Sequence, residues 1–200
     1  MKIGMIGAGA VSKAVATYAL GLGHEVIFTN SSGGVRLDDI ARGLGDRASA
    51  GTLNDVAEAD IILLAVPWLA IEDALPASID WTGRVLIDAT NPFIAFDPKL
   101  VLADLGEKSA SELVAGLVPG AHVIKAFNSV YMERFEAGPQ VGDARRVLFV
   151  SGDDAGAKKT VSDLIQSFGF AVIDLGSLAA GGRMQQAGGP LGGPDILVAS

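Results

Sequence analysis

Residues 2–14, KIGMIGAGAVSKA, constrain this chain more than any other stretch. A short apolar run, Lys2 to Ile6, ends at Gly7-Ala8-Gly9, and an amphipathic pattern from Ala10 to Leu22 begins at once. A strand that turns on glycines directly into a helix opens a βαβ unit, whose right-handed crossover lays the helix back on a parallel sheet. Gly7 permits the tight turn. Gly9 lets backbone approach a ligand at the positive end of the helix dipole, where a pyrophosphate is held. Ser12 stands where the dinucleotide fingerprint usually has a third glycine or an alanine, and it is still small enough for close helix-sheet packing. The residues offered to a dinucleotide here are Gly7, Ala8, Gly9, Ala10 and Val11.

The same alternation continues along the chain. Glu25 to Thr29, Ile61 to Val66, Val85 to Asp88, Val123 to Phe127, Val147 to Val150 and Ala171 to Asp174 read as buried strands. Helical patterns cover Val35 to Leu44, Leu69 to Leu75, Ser111 to Leu117 and Ala155 to Phe168, with Ser109 and Glu112 at capping-box spacing and Gly21, Gly45 and Gly169 where C-caps belong. The fold class is therefore α/β, a doubly wound and mostly parallel sheet. At 200 residues one domain is expected: a dinucleotide-binding unit over 1–178, then a glycine-rich extension over 179–200. That extension reads as a loosely ordered end, a dimer arm or a substrate loop, part of the same domain or reaching out of it.

Charge and composition exclude several functions. The net charge of −8 repels nucleic-acid backbones, so an anionic ligand must be held by local devices. With no cysteine, disulfides, thiolate metal sites and cysteine nucleophiles are ruled out, and no His/Glu metal spacing or nucleophile elbow is present. No long uninterrupted apolar run occurs, so a cytoplasmic protein with no membrane partner is expected.

Where a dinucleotide's adenine ribose is read, the chain has FTNSSGGVR, residues 28–36. No carboxylate lies between Thr29 and Arg36, and Asp38 and Asp39 already belong to the next helix. A free 2′-hydroxyl favours a carboxylate partner, whereas a 2′-phosphate favours donors and positive charge. Asn30, Ser31, Ser32 and Arg36 supply donors, so NADP is expected in preference to NAD.

Two further strand ends, LLAVPW and IDATNPF, put extended backbone at the carboxyl edge of the sheet, the ligand edge of such folds. Ala65, Val66, Pro67 and Trp68 are candidates to wall the nicotinamide, although a proline opening a helical turn with a core tryptophan behind it reads equally well. Asn91 is a candidate amide contact to ribose or nicotinamide. VIKAFNSV, residues 123–130, brings Lys125, Phe127 and Asn128 toward the same cleft; a lysine there is more commonly a surface residue than a chemical one. His24 and His122 lie at amino ends of strands, away from the ligand edge. A dinucleotide site without an evident proton donor suits hydride transfer to a second redox heterocycle, which carries its own electronics.

Taken in order, MKIGMIGAGAVSKA, GHEVIFTNSSG, LLAVPW, VLIDATNPF, HVIKAFNSV, LFVSGDDAGAK and GPLGG resemble the NADPH-dependent coenzyme F420 reductase family over essentially the whole chain. KAFN followed by VSGDDAGAK carries most of the specificity. The resemblance implies a Rossmann-type NAD(P)-binding fold with a short C-terminal extension, often dimeric, that exchanges hydride between NADP and the deazaflavin coenzyme F420. It places Ala126, Phe127 and Asn128, and Met184, Gly189 and Leu191 of the tail, near the second ring. The family commonly has arginine where this chain has Ser32, which leaves the 2′-phosphate to Arg36 or to hydroxyls. Two other functions fit the residues: an NADPH-dependent reductase of a flavin, quinone or small carbonyl compound, and an NADPH-sensing regulatory module without turnover.

Overall fold

Runs of buried aliphatic residues set the frame of the molecule. In the strand Ile61–Leu64 all four side chains are buried, Ile61 and Leu63 in one apolar cluster and Ile62 and Leu64 in another. A strand dry on both faces needs helices on both sides, which is why its sequence reads as a continuous rather than an alternating apolar run. The computed structural model describes residues 1–30 and 35–199, with Val35 and Arg36 described in the backbone only.

The strands are β1 (Lys2–Ile6), β2 (Glu25–Thr29), β3 (Ala48–Ala50), β4 (Ile61–Leu64), β5 (Val85–Asp88), β6 (Phe93–Ala95), β7 (Val101–Leu102), β8 (His122–Lys125), β9 (Gln140–Val141), β10 (Ala144–Gly152), β11 (Ala171–Asp174) and β12 (Leu197–Ala199). The helices are α1 (Ala10–Gly21), α2 (Val35–Leu44), α3 (Leu53–Ala57), α4 (Ile71–Ala74), α5 (Ala110–Leu117), α6 (Met132–Glu136), α7 (Ala155–Ser167) and α8 (Arg183–Gln185). A 3-10 turn, Trp68–Ala70, leads into α4, and a π turn, Leu178–Gly182, leads into α8.

Spatial order in the main sheet is β3-β2-β1-β4-β5-β8-β10-β11. The first six strands are mutually parallel; β10 runs antiparallel to β8 and parallel to β11. This is the doubly wound Rossmann-type fold expected from the sequence. Chain order reverses at β1, with β2 on one side and β4 on the other, so a crevice opens beyond the carboxyl ends of these strands. α1, α6 and α7 bury Val15, Phe135 and Leu164 on one face of the sheet, while α3, α4 and α5 bury Val56, Ile71 and Val114 on the other.

β1, β2, β5, β11 and α2 occupy the spans expected. β3, α3, α6 and the β6-β7 hairpin were not expected. The turn after α1 is made by Gly23 with φ +84, not by Gly21, which is the last residue of the helix. The tail folds back on the sheet: β12 pairs antiparallel with β10, and buried Arg146 donates from Nε to Asp195 Oδ1 at 2.6 Å and from Nη2 to Oδ2 at 3.2 Å. Among the described residues no helix is long and apolar enough to cross a membrane.

Candidate functional site

The sheet ladder sets the floor of the crevice. Gly7 N donates to Thr29 O (2.8 Å), Ala65 N to Ile6 O (2.9 Å) and Ala89 N to Leu64 O (3.0 Å), so the ends of β1, β2, β4 and β5 are held level. Gly7 has φ +105, and a Cβ there would collide with the Ala65 carbonyl oxygen. Gly9 caps α1 with no side-chain hydrogen bond, and a Cβ built on it would meet nothing within 4 Å among the described residues. The first amides of a three-turn helix therefore face open space left by a missing side chain, a cradle that fits a pyrophosphate.

From this cradle three cavities run along the carboxyl edge. The first, about 750 Å³, lies between β1, β2 and β4 and is walled by Gly7, Thr29, Asn30, Leu37, Gly51 and Val66, among others. Oδ1 of Asn30 is buried there and has no hydrogen-bond partner among the described residues, so it fits a donor hydroxyl or amide of a ligand. Asp38 and Asp73 also line it, so the carboxylate assigned from sequence to the helix stands on the cavity wall. Ser31 and Ser32 lie outside the described residues, as does the side chain of Arg36.

The second cavity, about 290 Å³, is lined by Gly9, Ala10 and Val11, by Ala65 to Trp68, by Ala89 to Asn91, and by Phe93 and Phe96. Pro67 precedes the 3-10 turn in extended conformation, and half-buried Trp68 both faces this cavity and packs on the core. The third, about 300 Å³, is bounded by Val11, Phe93, Leu100, Asn128, Tyr131 and the tail backbone at Gly192 and Gly193, with Phe127 also on its wall. The first two cavities share Gly9, Ala65, Val66 and Pro67, and the last two share Val11, Ala89, Asn91 and Phe93, so they form one cleft. Among the residues lining the two smaller cavities, only Tyr131 carries a titratable side chain.

The residues expected at the second ring divide. Phe127 and Asn128 line the third cavity. Ala126 is fully buried, and Met184, Gly189 and Leu191 are not on the cavity's wall. Met184 and Leu191 instead build the turn beneath it, Leu191 N donating to Met184 O at 2.8 Å. Phe127 has φ +62 and turns its ring into an aromatic cluster, 5.8 Å from Phe135 and 6.4 Å from Phe168 between centroids. Asn91 and Asn128 commit their amides to each other: Asn91 Nδ2 donates to Asn128 O (2.9 Å), and Asn128 Nδ2 donates to Asn91 Oδ1 (3.0 Å).

Lys125 is neither at the surface nor in the cleft. Its ammonium is fully buried and donates to Asp88 Oδ2 (3.0 Å) and Thr90 O (2.7 Å). Ser111 Oγ donates to the same carboxylate oxygen, while Thr90 N and Oγ1 donate to the other. Burial pushes the Asp88 carboxyl up, but the Lys125 charge and these hydrogen bonds outweigh it and hold it below the ordinary carboxylate value. The pair fixes Thr90, and with it the turn that carries Asn91, at the ends of β5 and β8. Sequence reading missed Gln185, Phe93 and Tyr131; the first sits in a three-residue helix, the second opens the three-residue strand β6 and the third precedes the five-residue α6, elements too short for a period to mark them.

A family model described as "NADP oxidoreductase coenzyme F420-dependent" matches residues 2–92, which contain the cradle and the walls of the second cavity up to Asn91. A protein of Arthrobacter sp. FB24 assigned as an F420-dependent NADP-reductase superposes with a TM-score of 0.74 at 28% identity, covering 89% of this chain and 86% of that one. Residues 2–92 thus carry the match to the F420-dependent NADP oxidoreductase family. A hypothetical protein of Sinorhizobium meliloti has the same architecture as this chain throughout, with a TM-score of 0.90 at 39% identity over 99% of this chain and 96% of that one. The metalloreductase STEAP3 of Rattus norvegicus is 30% identical to the chain over 181 residues, 90% of this chain. The chain spans 34% of that relative's length.

Proposed function

We infer that the chain exchanges hydride between NADP(H) and coenzyme F420, the former along the first two cavities and the latter in the third. The observation that carries this reading is the junction of the two smaller cavities: both are ring-sized, they share Val11, Ala89, Asn91 and Phe93, and among the described residues no carboxylate, histidine or lysine lines either, the one titratable group, the Tyr131 phenol, being on a largely exposed side chain at the rim of the third. A carbonyl reductase needs an acid for the developing alkoxide, whereas transfer between two heterocycles needs chiefly close, ordered approach. The nicotinamide and the deazaflavin supply the redox chemistry. The chain's own residues hold and exclude: α1 and Gly9 receive the pyrophosphate, Pro67 and Trp68 bound the nicotinamide, and Phe93, Leu100 and Tyr131 shield the second ring from water. The match of residues 2–92 to an NADP oxidoreductase family model supports NADP over NAD.

Anaerobic titration of the chain and NADPH with oxidised F420 tests the reading. Bleaching of the deazaflavin band, faster with NADPH than with NADH, is expected; an unchanged band sinks it. A flavin in the same cavity is the second reading, since it is a planar redox ring that also carries its own electronics, and FMN or riboflavin in place of F420 separates the two. The reading also takes the working form to be a homodimer in the cytoplasm, which gel filtration with light scattering and cell fractionation check.

A further inference from the structure

The tail residue Gln185 is fully buried, although it is polar and lies in a glycine-rich stretch. Its carboxamide makes three hydrogen bonds to three separate segments. Nε2 donates to Lys125 O at 3.0 Å and to Asn128 Oδ1 at 3.0 Å, and Oε1 accepts from Ser151 Oγ at 2.8 Å. Its backbone oxygen accepts from Asn128 Nδ2 at 2.8 Å. Two residues on, Ala187 N donates to Asn91 Oδ1 at 2.9 Å, and Gly193 N donates to Ser129 O at 2.8 Å. Within the stretch between these ties, Ala187, Gly188, Gly192 and Gly193 form the tail's part of the third cavity's wall.

Two features make this wall sensitive to the position of Gln185. Gly188 has φ +86, and a Cβ on it would press on Leu102 Cδ1 at 2.7 Å, so the wall runs close against β7 without side chains to spread the load. Asn91 and Asn128 have most of their hydrogen-bonding capacity taken up by each other and by the tail, which suits them to set the shape of the cleft rather than to bind through free amides. Gln185 bonds through its side chain to Asn128, to the end of β8 and to β10 together.

We propose that Gln185 is the positioning residue of the acceptor cavity: its buried carboxamide fixes the Asn91–Asn128 pair and the tail wall at Ala187, Gly188, Gly192 and Gly193 against which a planar redox ring lies. The proposal rests on the reading of that cavity as the acceptor site. Donation from Nε2 is the essential half, because it reaches both Asn128 and β8. The Ser151 bond orients the amide and is secondary.

Gln185→Leu fills the same volume without the amide, and Gln185→Glu keeps shape and acceptor but loses both donors. In each variant kcat for reduction of F420 or FMN by NADPH should fall about tenfold or more, as misplacement of a reacting ring by about an ångström does. The NADPH Kd, read by nicotinamide fluorescence, should stay within about twofold. Ser151→Ala, which retains both donors, should keep nearly the wild-type kcat. Hydrogen exchange at the Ala187 and Gly193 amides should quicken about tenfold in Gln185→Leu while amides of β1 do not change. Equal losses in kcat and NADPH affinity, or wild-type kcat in both Gln185 variants, overturn the proposal. If the wild-type chain reduces no deazaflavin or flavin, the reading of the cavity fails. Unchanged exchange at Ala187 and Gly193 in folded Gln185→Leu removes the role of Gln185 whatever the acceptor.

Discussion

Gly7 and Gly9 stand two positions apart and are glycine for different reasons. At Gly7 the reason lies inside the protein, since φ is +105 and the Ala65 carbonyl occupies the space of a Cβ. At Gly9 nothing among the described residues comes within 4 Å of that space, so the reason lies in the ligand. Gly7→Ala is therefore expected to lower stability by at least about 1–2 kcal/mol, the cost of a left-handed conformation alone, and to abolish NADPH binding. Gly9→Ala should unfold at the wild-type temperature within about a degree yet bind NADPH at least tenfold more weakly. Thermal unfolding with and without NADPH checks both, and a Gly9→Ala variant that binds normally would mean that the phosphates lie elsewhere. At this scale the sequence marks both glycines but not the division of labour between them. It marks Asn91 as a polar group at the ligand edge, but the amide's partners lie 37 positions away at Asn128 and 96 away at Ala187. No local pattern carries a pairing of that length.

Elements with a full period were legible and elements without one were not. α1, α2, α5 and α7 each present a buried face over two turns or more, and their expected and observed bounds differ by at most one residue at either end. β3 has three residues, β7 two and α3 five, too short for a period to build up, and they are held by neighbours rather than by propensity. α3 nevertheless carries a capping box, Thr52 with Asp55, which a search for Glu or Gln at the third position passes over. The box at α5 was read correctly from Ser109 and Glu112: Ser109 Oγ accepts from Glu112 N at 3.2 Å, and Ser109 N donates to Glu112 Oε2 at 2.6 Å. Ser109 is also fully buried against the π turn at Gly182, so the cap joins α5 to the tail. Ser109→Ala should cost about 1–2 kcal/mol, at the upper end for an N-cap because the orphaned amide has no water to replace the hydroxyl. Ser109→Thr, which keeps the acceptor but adds a methyl against Gly182, should recover only part of the loss. Urea midpoints of the three proteins at neutral pH decide this.

Across the whole molecule, the parallel half of the sheet and its extension meet at β8, and the Asp88–Lys125 pair is buried at that seam. β8 gives its parallel edge to β5 through four residue pairs, and to β10 only Lys125 and Ile124, opposite Ser151 and Gly152. A charge pair buried here is weak evidence for net stability, but removing one partner leaves the other charged in a dry site. Lys125→Met is therefore expected to cost about 3–5 kcal/mol, and Lys125→Met with Asp88→Asn clearly less than that. Acid supplies the matching test. Because the folded Asp88 carboxyl lies below the ordinary value of about 3.9, the unfolded chain takes up this proton first as pH falls. The contribution of Asp88 is thus complete above about pH 5 and lost on acidification through 4 and below, toward its folded value. Other carboxylates act in the same window, since the chain carries 23 acidic residues against 15 basic and a sequence pI near 4.6. The comparison that isolates the pair is the difference in urea midpoint between wild type and the double variant, at pH 7 and at pH 3.5. That difference should shrink, or reverse, at the lower pH; one that stays constant would show that the Asp88 carboxyl titrates alike in folded and unfolded chains, and one that grows would show that the folded carboxyl takes up its proton first.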